Sequence, residues 1–248
     1  TAQRSYRMLM VVAISFHNMF NTFQIIAHRG FSSKYPENTI LSFKKAIEAG
    51  ATMLELDVQL TKDDQVVVFH DEDANRLCGR QLQIRSSSRD SLASLKIDKE
   101  PITFLDKVFE EFGDSINYYI ELKLWPLAIR DYKTKLIFYT LNEIQRRHLQ
   151  SNCSMISFDS SIVQLTRRLG HNNVGVAYDT FDKPVYNSKV SCINHTQIKK
   201  DVGDDIVYAW TVNNKRRMRT LIQHNVNGIV TDQPDKLRAV YEDSLASS

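Results

Sequence analysis

Along this chain, short apolar runs alternate with longer stretches in which apolar residues recur every three or four positions. These are the two periods of a buried strand and an amphipathic helix. The runs predict strands at Gln24–His28, Met53–Leu60, Val66–Phe69, Asn117–Leu122, Met155–Phe158, Val174–Tyr178, Ile206–Val212 and Gly228–Val230. The longer stretches predict helices over Pro36–Gly50, Ile102–Phe112, Lys133–Gln150, Ser161–Leu169, Lys215–His224 and Asp235–Tyr241. In the first of them Thr39, Ile40, Phe43, Ala46 and Ile47 share one face, and Gly50 stops it. Strand–helix alternation calls for parallel strands, because a parallel return needs a long crossover. About eight such units in a chain of this length predict an α/β fold, a (β/α)8 TIM barrel, ahead of a doubly wound open sheet.

Two segments depart from this rhythm. Glu72–Lys99, with Ser86-Ser87-Ser88 inside it, shows no period and reads as an insertion loop or lid after the third strand. Residues 1–23 place Arg4 and Arg7 before the apolar run Met8–Ile14. That segment reads either as a helix docked on the body of the protein or as a signal or membrane anchor, although His17 and Asn18 stand where a cleavage site would need small residues. No linker rich in Pro, Gly or Ser divides the rest, so residues 24–248 read as one domain.

Composition narrows the function classes. The chain has 248 residues, 42% of them hydrophobic and 25% charged, as in a soluble globular protein with a substantial core. No run approaches the roughly 20 apolar residues of a membrane span. Any membrane contact is therefore assigned to residues 8–23. Lys plus Arg number 32 against 29 Asp plus Glu, and a net charge of +3 is too small to indicate a nucleic-acid partner. The weak positive balance is compatible with a small anionic substrate without showing one, and the oligomeric state is not readable. Three widely spaced cysteines offer no zinc spacing and read as free thiols. They favour a cytoplasmic setting, with a secreted, periplasmic or membrane-associated one as the alternative. With 8 glycines there is no Gly-rich phosphate loop.

The strands carry a different signal. A strand buried on both faces should be continuously apolar. Here most strands turn polar toward their C-terminal ends: His28-Arg29, Glu55 and Asp57, His70-Asp71, Glu121 and Lys123, Asp159, Trp210 and Asp232. In a barrel these ends share the face where the loops build a site. Glu55 and Asp57, two residues apart on one strand, point the same way. Like charges so placed repel unless a cation sits between them, and Glu121 would supply a third oxygen. Such a set suits a hard divalent ion, Mg2+ or Ca2+. The alternative is a pair of salt bridges to Arg29 and Lys123. His28 and His70 flank the acidic strand and could divide general acid and base duties. Arg29 and Lys123 could hold a phosphate.

Taken together, Ala27-His28-Arg29-Gly30, Pro36-Glu37-Asn38-Thr39, Glu55-Leu56-Asp57-Val58, His70-Asp71, Glu121-Leu122-Lys123, Trp210-Thr211-Val212-Asn213 and Gly228–Asp232 resemble the glycerophosphodiester phosphodiesterase family. The order and spacing hold from residue 25 to about 240. The resemblance implies a barrel hydrolase of lipid and glycerol metabolism that cleaves glycerophosphodiesters to glycerol 3-phosphate and an alcohol. It implies His28 and His70 as the acid/base pair, Glu55, Asp57 and Glu121 as metal ligands, Arg29 and Lys123 on the phosphate, and Trp210 beside the glycerol or the leaving group. Glu37 and Asn38 could touch the site or simply open the first helix. The stretch Glu72–Leu82 lacks the usual Thr-rich turn, and Leu105-Asp106 stands where a Leu-Glu-Glu run is common. Both departures bear on substrate preference.

Two routes fit this set of groups. In one, the free glycerol hydroxyl attacks the phosphorus and passes through a cyclic phosphate that water then opens. In the other, water attacks directly. Competing readings are a related barrel phospholipase acting on inositol lipids, lysophospholipids or sphingolipids, and a non-catalytic barrel that binds metal or phosphate.

Overall fold

The structure is a computed structural model that describes residues 22–124, 131–171, 173–178, 190–202 and 206–246. The expected apolar N-terminal segment, residues 1–23, lies outside the described residues but for its last two. In chain order the strands and helices are β1 (Gln24–His28), α1 (Ile40–Glu48), β2 (Met53–Leu60), β3 (Val66–Val68), α2 (Asn75–Cys78), α3 (Arg89–Ala93), β4 (Lys96–Ile97), β5 (Glu100–Pro101), β6 (Thr103–Phe104), α4 (Leu105–Phe112), β7 (Asn117–Leu122), α5 (Tyr132–Arg146), β8 (Cys153–Ser157), α6 (Ser161–Arg168), β9 (Val174–Tyr178), β10 (Val190–Asn194), β11 (Ile206–Trp210), α7 (Lys215–Gln223), β12 (Gly228–Thr231) and α8 (Pro234–Ala246).

Eight of these strands close into a parallel barrel in the order β1, β2, β7, β8, β9, β10, β11, β12 and back to β1. Each contributes one side chain to a common interior cluster: Ile26, Met53, Tyr119, Ile156, Ala177, Cys192, Tyr208 and Val230. This inner layer plugs the barrel, as filled interiors of this architecture require. A second layer packs strand against helix, with Phe43 and Ala46 of α1 and Leu136 and Ile137 of α5 fully buried.

The barrel expected from periodicity is present, but two of its staves differ. Val66–Phe69 is not a barrel strand. β3 runs antiparallel to the end of β2, Val58 opposite Val68, and pairs in turn with β6 outside the barrel. The missing stave is β10, Val-Ser-Cys-Ile-Asn, a run too short and too mixed to stand out in the pattern. Among the described residues its link to β11 holds a 3-10 turn, His195–Gln197, in place of an α-helix. Arg217 closes that turn by donating to the carbonyls of His195 and Ile198.

The expected insertion therefore begins one strand earlier, leaving the barrel after β2 and returning at β7. It is built rather than loose. Val67, Phe69, Ala74, Ile84, Leu92, Ile97, Ile102 and Phe104 form a core of their own. The helix predicted from Pro36 starts four residues later, because Thr39 takes the N-cap position and its hydroxyl accepts from Ser42 N at 3.1 Å.

The turn after β1 sets the geometry of the site. Arg29 and Asn38 both adopt left-handed backbone, φ 56° and 58°, and the Asn38 N–H donates to the Arg29 carbonyl at 3.0 Å. Between them Gly30 has φ 83°, and a Cβ there would lie 2.3 Å from Ser42 Oγ and 2.7 Å from the Ser42 carbonyl carbon. Gly30→Ala is therefore expected to destabilise the fold by more than about 1 kcal/mol, read as a lowered Tm. A wild-type melt would show that this turn has room to relax.

Candidate active site

Parallel closure brings the polar strand ends to one rim. The register sets His28 opposite Glu55, and Asp57 opposite Glu121. These residues surround a cavity of about 250 Å3 above the inner layer. One wall is polar, formed by His28, Arg29, Glu55, His70, Glu121 and Lys123. The other is largely apolar, formed by Tyr119, Ile156, Phe158, Ala177, Cys192, Trp210 and Val230. Trp210 donates its indole N–H to the Cys192 carbonyl at 3.2 Å and meets Phe158 edge-on, ring centres 5.3 Å apart. Every predicted site residue but Asp57 lines this cavity directly. Asp57 lies fully buried beside it.

The three carboxylates converge, with one oxygen of each within 4.8 Å of the others. Both predicted salt bridges also form. Arg29 Nε lies 3.1 Å from Asp57 Oδ2, and Lys123 Nζ lies 2.7 Å from Glu121 Oε1 and 3.6 Å from Asp57 Oδ1. They do not complete the cluster. Glu55 Oε1 and Asp57 Oδ1 are buried without a hydrogen-bond donor among the described residues, an arrangement that is costly unless another partner is supplied. Burial, followed by the charge of Asp57, pushes the Glu55 carboxyl well above its usual range, and the same two causes raise Glu121. Burial also opposes ionisation of Asp57, but Arg29 and Lys123 outweigh it and hold Asp57 low. An all-oxygen donor set with orphaned lone pairs fits a hard divalent cation.

Each histidine is oriented by a carboxylate. His28 Nδ1 lies 2.7 Å from Asp232 Oδ1, and that carboxylate also accepts from Ser32 Oγ at 3.0 Å and from Asn213 Nδ2 at 2.6 Å. Burial works against an imidazolium at His28, yet the Asp232 hydrogen bond and the Glu55 charge overcome it and raise its pKa. His70 Nδ1 lies 2.7 Å from Asp71 Oδ1. A carboxylate only accepts, so in each pair the hydrogen sits on Nδ1 and Nε2 keeps its lone pair until protonated. His70 is not on a barrel strand. Its segment is tied to the barrel by Gln59 of β2, whose buried amide donates to the carbonyls of Phe69, His70 and Asp71 at 2.8, 3.3 and 2.7 Å.

Several of these supporting residues carried no role in the sequence reading. Asp232 and Asp71 stood among the polar strand ends without one. Glu37 and Asn38, left open there, face the site: Asn38 Nδ2 donates to Asp57 Oδ2 at 2.9 Å, and Glu37 Oε1 accepts from Arg29 Nη1 at 3.0 Å. Thr39 alone takes the helix-capping role. Arg76 gave no sequence signal, because an isolated guanidinium in a polar stretch looks like any solvated side chain. Gln59 continues the alternation of Glu55 and Asp57 along β2, and that shared face was the signal that could have found it.

A family model described as "Glycerophosphoryl diester phosphodiesterase family" matches residues 28–236. The chain belongs to that family. It is 30% identical over 240 residues to a glycerophosphodiester phosphodiesterase of Caldanaerobacter subterraneus subsp. tengcongensis, covering 86% of this chain and 95% of that protein. It is 27% identical to the crystal structure of the glycerophosphodiester phosphodiesterase from Thermotoga maritima, with a TM-score of 0.71 over 87% of this chain and 97% of that one. A phosphodiesterase of Oleispira antarctica, solved in complex with the product sn-glycerol-3-phosphate, shares the fold with a TM-score of 0.77 at 20% identity, over 92% and 99% of the two chains. Membership makes this barrel a phosphoric diester hydrolase that releases glycerol 3-phosphate from glycerophosphodiesters. No helix among the described residues is long and apolar enough to cross a membrane.

Proposed function

We propose that His28 and His70 are the acid/base pair of this glycerophosphodiester phosphodiesterase, that Arg29 and Lys123 bind the phosphate, and that Glu55, Asp57 and Glu121 hold one divalent cation, Mg2+ or Ca2+. The observation that carries the reading is the shared cavity. Both imidazoles, both cations and two of the carboxylates line it, and the third is buried beside it. When bound, the cation would neutralise charge that builds up on phosphoryl oxygens.

The protein's own groups account for the proton movements. One histidine takes the proton of the free glycerol hydroxyl as its oxygen forms a bond to phosphorus. The P–O bond to the alcohol breaks, and the second histidine protonates the departing oxygen. The cyclic phosphate so formed is opened by water with the histidine roles reversed. Arg29 and Lys123 remain ionised throughout and supply fixed charge where the transition state is most negative. The neighbouring hydroxyl is already held at bonding distance, an advantage of several kcal/mol in intramolecular reactions.

Trp210 and the apolar wall are proposed to pack against the glycerol carbons or the leaving group. Phe158, 46% exposed beside Trp210, gives a lysophospholipid chain an apolar surface, which favours lysophospholipids as a second substrate class. Residues 24–248 are proposed to act as one catalytic domain.

The test is a substrate panel of glycerophosphocholine, lysophosphatidylcholine and a glycerophosphocholine methylated on the hydroxyl next to the phosphoester. Turnover of the first and loss of the third are expected. Undiminished turnover of the methylated compound would exclude the cyclic route in favour of direct attack by water.

A further inference from the structure

Arg76 lies in α2, on the insertion and outside the barrel, with its side chain 48% exposed. Its guanidinium nevertheless makes four hydrogen bonds to two carboxylates on different loops. Nη1 and Nη2 donate to Glu37 Oε2 and Oε1 at 3.0 and 2.8 Å, while Nε and Nη2 donate to Asp71 Oδ2 and Oδ1 at 2.5 and 2.9 Å. An exposed ion pair contributes little to stability, usually less than about 1 kcal/mol. A planar fork engaged on two edges can contribute more than an isolated pair, so it is the melt of the variant that separates a stabilising role from a positioning one.

The onward contacts of the two carboxylates are more informative. Asp71 continues to His70 Nδ1 at 2.7 Å, and Glu37 continues to Arg29 Nη1 at 3.0 Å. One guanidinium thus stands behind an imidazole and a phosphate-facing cation at the same time. The opposite histidine is held differently. Asp232, behind His28, is fixed by the neutral donors Asn213 and Ser32. Asp71 and Glu37 are like charges on separate loops, and with no cation between them they would repel and release both partners.

We propose that Arg76 is a positioning residue of the hydrolase. It clamps the insertion to the loop after β1 and so sets the relative placement of His70 and Arg29. The inference rests on the roles given to those two residues above.

Arg76→Ala is expected to lower kcat/KM by about 100-fold, the scale of a misplaced catalytic group. Because Arg76 is exposed, the variant should melt close to wild type, and added guanidinium ion should restore part of the activity. Arg76→Lys, a point charge that cannot engage two edges, should recover little. The losses of Asp71→Asn and Arg76→Ala should combine less than additively, since the two share the branch to His70. Near-wild-type activity of Arg76→Ala would overturn the proposal. So would a loss that guanidinium does not relieve and that adds fully to Asp71→Asn. An active His70→Ala would sink the reading of His70 and this inference with it. An inactive His70→Ala beside an unimpaired Arg76→Ala would sink the Arg76 clamp alone.

Discussion

Replacing His28 by alanine is expected to reduce turnover of glycerophosphocholine at least about 100-fold, and replacing His70 to do the same, the scale of a lost general acid or base. The two losses should be separate rather than redundant. Each imidazole is held through Nδ1 by its own carboxylate, Asp232 for His28 and Asp71 for His70. Neither can swing to take the other's place without breaking a 2.7 Å contact. Both side chains are partly exposed, 21% and 24%, at the cavity wall. Their removal should therefore leave the Tm near wild type, and the loss can be read as chemistry rather than unfolding. Steady-state kcat with a melting curve on each variant is the check. Near-normal kcat in either would remove that residue from proton transfer.

The second large effect concerns the acidic cluster. Chelation with EDTA is expected to abolish hydrolysis, and addition of Mg2+ or Ca2+ to restore it. A second readout does not depend on activity. A ligand that binds only the folded state raises the melting temperature with its concentration, so the chelated protein should gain Tm on titration with the ion. Glu55→Gln should lose that gain. In the chelated protein the same variant should melt no lower than wild type. It replaces a buried carboxyl that stands beside Asp57 with an oxygen lone pair unpartnered among the described residues, and it removes a charge that burial and a like neighbour already penalise. A wild-type Tm that ignores divalent ions would refute the site. A Glu55→Gln variant that still responds would relocate it.

Much of this was legible from local pattern. Glu55 and Asp57 occupy alternate positions in an apolar run, and a strand's two-residue period is visible within a window of a few residues. The polar ends of β1, β7, β11 and β12 stand out against apolar neighbours for the same reason. At two staves the local signal is ambiguous. Val66–Val68 is as apolar as a barrel strand, since Val67 packs into the insertion's own core while Val66 and Val68 pack into the main one. β10 alternates weakly and has no α-helix among the described residues on its way to β11 to mark the crossover.

The supporting contacts needed the fold. His28 and Asp232 are 204 residues apart in sequence, and only barrel closure between β1 and β12 makes them neighbours. Arg76 and Glu37 meet because the insertion folds back over the rim. Gln59 reaches His70 because β3 turns antiparallel beside β2. By itself, the amino-acid sequence determined which reactive groups the protein has and that they end strands, because side-chain type and short-range period are local properties. Which carboxylate orients His28, which groups brace Asp71 and Glu37, and which oxygens remain unpaired among the described residues was decided by the tertiary structure. Those pairings depend on distances between chain segments that nothing local encodes.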